Sequence, residues 1–275
     1  MEKTIEKLNQ MLKEDPDNPE LLKELGNLFF REGLYDKAIE SYEASIEIDP
    51  NYYKSLYNLG NTYHKIGKHD EALEYWTKAI KAKPDFDHAY FNIGYHYFQC
   101  GYMREAIVAL KEAIRINPNA PDTYHYLGLA YYNTNQFEEA ISAFKSAVAL
   151  DDTDPDYHYN LANTNYDLGD YEKAAEEWLI TLKLRPEDSK ARNNYCDALL
   201  KLGKYDEALK EIEVVLTNEP DYPPALCTKG EIYEQMGETQ KASEIYAYLK
   251  DKIKGRHMWD LLYNYLDNRL KGQNE

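Results

Sequence analysis

Apolar and small residues recur along this chain at one fixed period. Alanines stand at 38, 72, 106, 140, 174, 208 and 242, always 34 residues apart. Sixteen residues before each alanine lie Leu22, Leu56, Tyr90, Tyr124, His158, Arg192 and Leu226. Thirteen before lie Leu25, Leu59, Ile93, Leu127, Leu161, Tyr195 and Lys229, each followed by a small residue: Gly26, Gly60, Gly94, Gly128, Ala162, Cys196, Gly230. Nine before come Phe29, Tyr63, Tyr97, Tyr131, Asn165, Leu199 and Tyr233. Four after come Tyr42, Trp76, Leu110, Phe144, Trp178, Ile212 and Tyr246. Spacings of three, four and seven before a break, and of four and seven to eight after it, are helical and not strand alternation. The break carries glycine, as in Glu32-Gly33-Leu34 and Ile66-Gly67-Lys68, and glycine ends a helix in the left-handed conformation at no steric cost. Proline closes the second helix at Pro50, Pro84, Pro118, Pro186 and Pro220, with Asp152 in the remaining unit; it cannot continue a helix and restricts the residue before it. The pattern predicts an all-α array of helix pairs, each packed on its neighbours.

Stretches such as YNLGNTYHKIGKHDEALEYWTKAIKAKP resemble the tetratricopeptide repeat family at nearly every signature position. The resemblance implies a right-handed superhelical solenoid of seven helix-turn-helix units, at 19–52, 53–86, 87–120, 121–154, 155–188, 189–222 and 223–252, capped by a helix at each end. Residues 1–18 read as an N-terminal half-repeat, helical over 4–16, with Ile5, Leu8 and Leu12 covering the first unit. Residues 253–275 read as a capping helix and tail, helical over 256–271, with Met258, Leu262, Tyr265 and Leu266 on one face. Arg192 and Lys229 stand where the family has apolar residues, so the sixth and seventh units are expected to pack less tightly. An unbroken array reads as one continuous domain.

Charge and motifs narrow the function. The formal charge is 32 − 49 = −17 over 275 residues. Nucleic-acid phosphates and anionic bilayers would be repelled; a partner with basic segments would not. There is no apolar run of 18 residues, so membrane insertion is not expected. The N-terminus is charged and amphipathic, unlike a secretory signal, and the expected location is cytoplasmic. Cys100, Cys196 and Cys227 share no metal-ligand spacing and read as free thiols. The seven histidines, His64, His69, His88, His96, His125, His158 and His257, are dispersed. Some can meet across neighbouring units, since His88 and Asn92 lie one turn apart and His64 belongs to the preceding unit. Even so, scattered surface histidines greatly outnumber metal sites. No phosphate loop, zinc-protease helix or nucleophile elbow occurs. No catalytic residue, metal or cofactor is expected, and the chain reads as a non-enzyme.

In the resembling family, the second, fifth, sixth, ninth, twelfth and thirteenth residues of each unit face the concave groove. At the sixth this chain carries Asn58, Asn92, Asn160 and Asn194; at the ninth, Asn27, Asn61 and Asn163. Asparagine is unfavourable inside helices, and its amide offers two donors and an acceptor. Seven at two repeating positions read as a ladder that bonds an extended peptide backbone. Similar ladders occur in the repeat arrays of O-linked N-acetylglucosamine transferases. Aromatics interleave with it: Tyr57, Phe91 and Tyr159 at the fifth position, Phe30, Phe98, Tyr132 and Tyr166 at the twelfth, with Tyr95 and Tyr126. They can form apolar pockets with polar rims. Tyr126 and Leu129 interrupt the ladder in the fourth unit. The expected role is a scaffold or adaptor that binds an extended peptide with basic residues or apolar anchors. The rival is a self-associating scaffold that forms a homo-oligomer through its terminal helices. Lys23, Asn27 and Asn58 also resemble part of the carboxylate clamp that holds chaperone C-termini. His88 and Asn92 then stand where that clamp has Lys and Arg, so any such clamp is weakened.

Overall fold

Each first helix ends in the same backbone turn. Gly33, Gly67, Gly101, Gly169, Gly203 and Gly237 have φ between 73 and 81°, and Asn135 takes the seventh equivalent position at φ 57°. Asparagine tolerates this region better than most residues that carry a Cβ. At Gly67 the amide donates to the His64 carbonyl at 3.1 Å, and the next amide, of Lys68, returns to the Tyr63 carbonyl at 2.9 Å. This pair of reversed bonds satisfies the last carbonyls of the helix and turns the chain straight into the second helix.

The computed structural model describes residues 2–272. These are all-helical: sixteen α-helices and one 3-10 turn, with no strand among the described residues. The chain separates into two compact units, Met1–Asn135 and Gln136–Glu275. A stack whose members touch mainly their neighbours has no core common to all of them.

The first unit contains α1 (Glu2–Glu14), α2 (Pro19–Arg31), α3 (Tyr35–Ile48), α4 (Tyr53–Lys65), α5 (His69–Ala82), α6 (Asp87–Gln99), α7 (Met103–Ile116) and α8 (Pro121–Asn133). Asn18 caps α2, its side chain accepting from the Glu20 and Leu21 amides, and Pro19 opens the helix where a missing N–H costs nothing. Ile5, Leu8 and Leu12 of α1 are half-buried. The core runs between helix pairs, with Ala38, Tyr42 and Leu59 in one cluster and Leu56, Ala79 and Ala89 in the next. A Cβ built on Gly60 would stand 2.6 Å from Cδ1 of the Trp76 ring and 3.2 Å from the Ala72 carbonyl oxygen. Only glycine lets α4 and α5 come this close. Ala72, like the other six alanines of its register, is completely buried.

The second unit contains α9 (Phe137–Leu150), α10 (Pro155–Asp167), α11 (Tyr171–Leu184), α12 (Ser189–Lys201), α13 (Tyr205–Asn218), α14 (Pro223–Gln235), α15 (Thr239–Ile253) and α16 (Asp260–Gly272). Its polar residues at apolar register positions are paired with acids. His158 Nδ1 meets Glu177 at 2.7 Å, Arg192 pairs with Glu211, and Lys229 Nζ lies 2.5 Å from Glu213. Arg192 also donates to the Pro186 carbonyl at 2.8 Å. The looser packing expected of the sixth and seventh units is absent: Cys196, Leu199, Ala208, Ile212, Val215 and Ile232 form a fully buried cluster. The charged heads are satisfied at the margin, and their aliphatic stems leave the core apolar.

At the end of the chain, Leu266 is buried against Leu226, Tyr246, Leu249 and Ile253, with Trp259, Leu262 and Tyr265 partly buried beside it. Met258 departs from the expected stripe. Residues His257–Trp259 form a 3-10 turn before α16 begins, which turns Met258 outward to 81% exposure.

Gly60→Val should lower stability by about 2 kcal/mol or more, because the added methyls meet a rigid ring and a backbone carbonyl. Gly67→Ala meets open space and should cost only about 1 kcal/mol, the strain of positive φ. Urea denaturation of both variants measures the contrast.

Candidate functional site

Asn27 follows Gly26, and Asn61 follows Gly60. The ring that fills each glycine's gap carries a donor at its tip. Tyr42 Oη donates to Asn27 Oδ1 at 2.8 Å, and Trp76 Nε1 donates to Asn61 Oδ1 at 2.8 Å. The next first helix supplies a second donor to each oxygen. Asn58 Nδ2 donates to Asn27 Oδ1 at 2.8 Å, and Asn92 Nδ2 to Asn61 Oδ1 at 2.7 Å. Asn92 Nδ2 also donates to Tyr57 Oη at 3.1 Å. Burial holds the Tyr57 hydroxyl above the usual phenol range, partly offset by its bonds with Asn61 and Asn92. The Asn27 and Asn61 side-chain oxygens thus have both lone pairs occupied. In the first unit the asparagines brace successive first helices together.

The second unit repeats the register with longer bonds. Asn194 Nδ2 lies 3.3 Å from both Asn163 Oδ1 and Tyr159 Oη. Here Ala162 stands in the glycine position, and Trp178 Nε1 is buried without an acceptor. Asn160 Nδ2 turns back to the Asp156 carbonyl of its own helix at 2.9 Å. Further along, Tyr166 bonds Asp197, and Tyr265 Oη donates to Glu231 at 2.8 Å. Acids therefore take over at the ninth position of the last two units.

Between the third and fourth units the rung changes chemistry. Tyr95 and Tyr126 occupy the ninth and sixth positions and meet edge-to-face, with ring centroids 4.7 Å apart. Phe91 and Phe98 lie 5.9 and 5.7 Å from the Tyr126 ring. The interruption is an aromatic contact in the register of an amide bond.

Lys23 is not presented to a ligand. It is 6% exposed, and its ammonium lies 2.6 Å from Glu20 and 2.8 Å from Glu24. A cation already paired with two carboxylates cannot pin an incoming carboxylate, and the third helix offers His88, itself 2.9 Å from Asp87. The clamp reading therefore loses the one cation on which it rested.

A cavity of about 340 Å³ opens between α2 and α4, lined by Glu24, Asn27, Phe30, Arg31, Tyr42, Asn58 and Asn61. A smaller one of about 200 Å³ lies along α6, lined by Asp87, His88, Phe91, Asn117, Ala120, Asp122 and Thr123. Arg31 and Glu24 were not singled out by residue type, although they occupy the thirteenth and sixth positions, which face the groove in the family. Among the described residues none donates to Asn58 Oδ1, and Asn58 lines the larger of these two cavities. Among the described residues, the group of side chains with metal-ligating atoms in mutual reach is His64, His69 and His96. Burial, with His69 nearby, holds the His64 and His96 rings below the ordinary histidine range.

Helix pairs repeated in this register, with a small first-helix residue matched to a large second-helix side chain in each, define a tetratricopeptide repeat protein. The chain belongs to the family described as the Cilia and flagella-associated protein 70 C-terminal domain, whose model matches residues 4–222, with a tetratricopeptide repeat match over 223–247. No curated protein matches it. Among solved structures it is similar to YrrB, a tetratricopeptide repeat protein described as having an unusual peptide-binding site. The identity is 21%, covering 67% of this chain and 95% of that one, with TM-score 0.58. It is also similar to MamA from Desulfovibrio magneticus RS-1, at 25% identity, 62% and 97% coverage and TM-score 0.56. A tetratricopeptide repeat protein from Parabacteroides merdae matches over 92% of this chain and 97% of its own, at 20% identity and TM-score 0.60. Proteins of this repeat generally mediate protein–protein interactions.

Asn61→Ala should destabilise by about 1–3 kcal/mol, since it strips the acceptor from the buried Trp76 N–H. In a double-mutant cycle with Trp76→Phe, unfolding free energies should show coupling of about 1 kcal/mol.

Proposed function

We propose that the first helices of the first unit hold an extended peptide segment of a partner protein, without catalysis. The observation that carries this reading is the cavity beside Asn58, which joins an unused amide oxygen, the Phe30 ring and a charged rim. In this reading Asn58 Oδ1 accepts a main-chain N–H of the peptide, and the cavity takes one of its side chains. The Phe91, Tyr95 and Tyr126 rings offer a second, apolar anchor point. Glu24, Asp87 and Asp122 line the two cavities, and the chain carries a charge of −17, so basic residues on the segment are favoured. The asparagines then have two duties. Those at the ninth position hold the helices in register, and Asn58 keeps a face for the ligand. YrrB, with its described peptide-binding site, has the same fold.

Peptides selected by display on the immobilised protein supply the probe, and fluorescence anisotropy reads their affinity. Asn58→Ala combined with Glu24→Gln should weaken binding tenfold or more, at about 1 kcal/mol per lost contact. Circular dichroism should show the helical fold retained. Selected peptides that bind both proteins equally would exclude this surface.

A second reading, self-association, is favoured by Met258 and Leu261, which are 81% and 88% exposed. Exposed apolar side chains this close in sequence mark contact surfaces when they form one patch. If they do so here, light scattering should show oligomers that survive dilution, and Leu261→Glu should return the monomer mass.

A further inference from the structure

Three histidines from two successive repeats meet at the turn end of the first helices. His64 lies in the last turn of α4, His69 opens α5, and His96 lies in the last turn of α6. Their ligand atoms all lie within 4.8 Å of one another. The ring centroids are 5.1 Å apart for His64 and His69, 5.1 Å for His69 and His96, and 5.7 Å for His64 and His96. The rings span every degree of burial: His96 is buried, His64 half-buried and His69 exposed. The His64 Nε2 atom is buried and has no hydrogen-bond partner, an arrangement that costs free energy unless something binds there. Cys100 Sγ stands outside that set of mutual reach but lies 3.5 Å from His96 Nε2, one helical turn on.

We propose that His64, His69, His96 and Cys100 bind one zinc ion that ties the second repeat to the third.

The donor set and its spacing carry the proposal. Zinc takes tetrahedral nitrogen and sulfur ligands, with Zn–N near 2.0–2.1 Å and Zn–S near 2.3 Å, so the nitrogen–sulfur edge of such a site is about 3.6 Å. The observed separation of His96 Nε2 and Cys100 Sγ matches that edge. The nitrogen–nitrogen edge is about 3.3 Å, against the 4.8 Å within which the three imidazole ligand atoms lie. The exposed His69 ring has the room to make the larger move. In sequence the ligands form two pairs, four residues between His64 and His69 and three between His96 and Cys100, close spacings of the kind found in structural zinc sites. The first pair straddles the Gly67 turn, and the second spans i, i+4 at the end of α6, with Cys100 as its C-cap.

On binding, Cys100 loses its thiol proton to solvent, and the imidazoles enter neutral. Three Zn–N bonds and one Zn–S bond form, with no change of oxidation state. Four protein ligands leave no open coordination position, so the ion is structural. It would fix the α4–α5 turn against the end of α6.

The test uses the full chain, treated with chelator and kept under a non-thiol reductant. Titration with zinc should give one ion per chain with Kd below about 1 μM, and should raise the melting temperature by about 5 °C or more. Cobalt in place of zinc should give intense tetrahedral d–d absorption and a sulfur-to-cobalt charge-transfer band. His69→Ala removes an exposed ring, so the metal-free melting temperature should hold, while zinc affinity should fall about a hundredfold or more. Cys100→Ser should abolish the charge-transfer band. Substoichiometric zinc, unchanged affinity in His69→Ala, or a cobalt complex without the sulfur band would each overturn the four-ligand site.

Discussion

Everything else in this chain depends on a large second-helix side chain lying over a small first-helix residue. Trp76 occupies the space that a Cβ at Gly60 would need, and Tyr42 does the same at Gly26. The contact brings the helix axes close, buries the alanine opposite and places the polar tip of the ring beside the residue after the glycine. That residue is asparagine, and its oxygen takes the donor. Packing and hydrogen bonding are therefore one contact: moving the ring would lose both the filled gap and the satisfied N–H.

From this contact the site follows. Asn27 and Asn61, each held by the ring of its own repeat, receive the amide of the next repeat, so the rung has a direction along the stack. The bonds are 2.7 to 2.8 Å in the compact unit that ends at Asn135 and 3.3 Å in the one that follows it. In the second unit alanine replaces the glycine, and the Trp178 N–H is left without a partner. Where tyrosines take both positions, ring edges replace amides at the same register. The repeat fixes where side chains meet and leaves open what chemistry they exchange.

How much of this was legible in sequence varied by residue. The period, the helix pairs, the buried alanines and the glycine turns follow from local rules, because each needs only the residues of one unit. Asn135 could have been placed in the left-handed turn by the same count. The end of the chain was less legible. Met258 fits a helical stripe by spacing, yet the turn before α16 moves it out of that stripe, and nothing in the spacing distinguishes a 3-10 turn from a first helical turn. Lys23 matched a clamp residue by type and position, but its pairing with Glu20 and Glu24 follows from the rotamers of one helix face.

The sequence by itself determined the architecture, since a 34-residue period written in glycine, alanine and aromatic positions leaves only one way to pair and stack the helices. It also put the asparagines on one face. Only the tertiary structure decided what those asparagines bond. An amide can turn toward a ligand or toward the neighbouring helix, and the choice depends on distances between units that no single unit contains. The same holds for His64, His69 and His96, which look dispersed along the chain and converge because helices from successive repeats end at one level, with Cys100 beside His96.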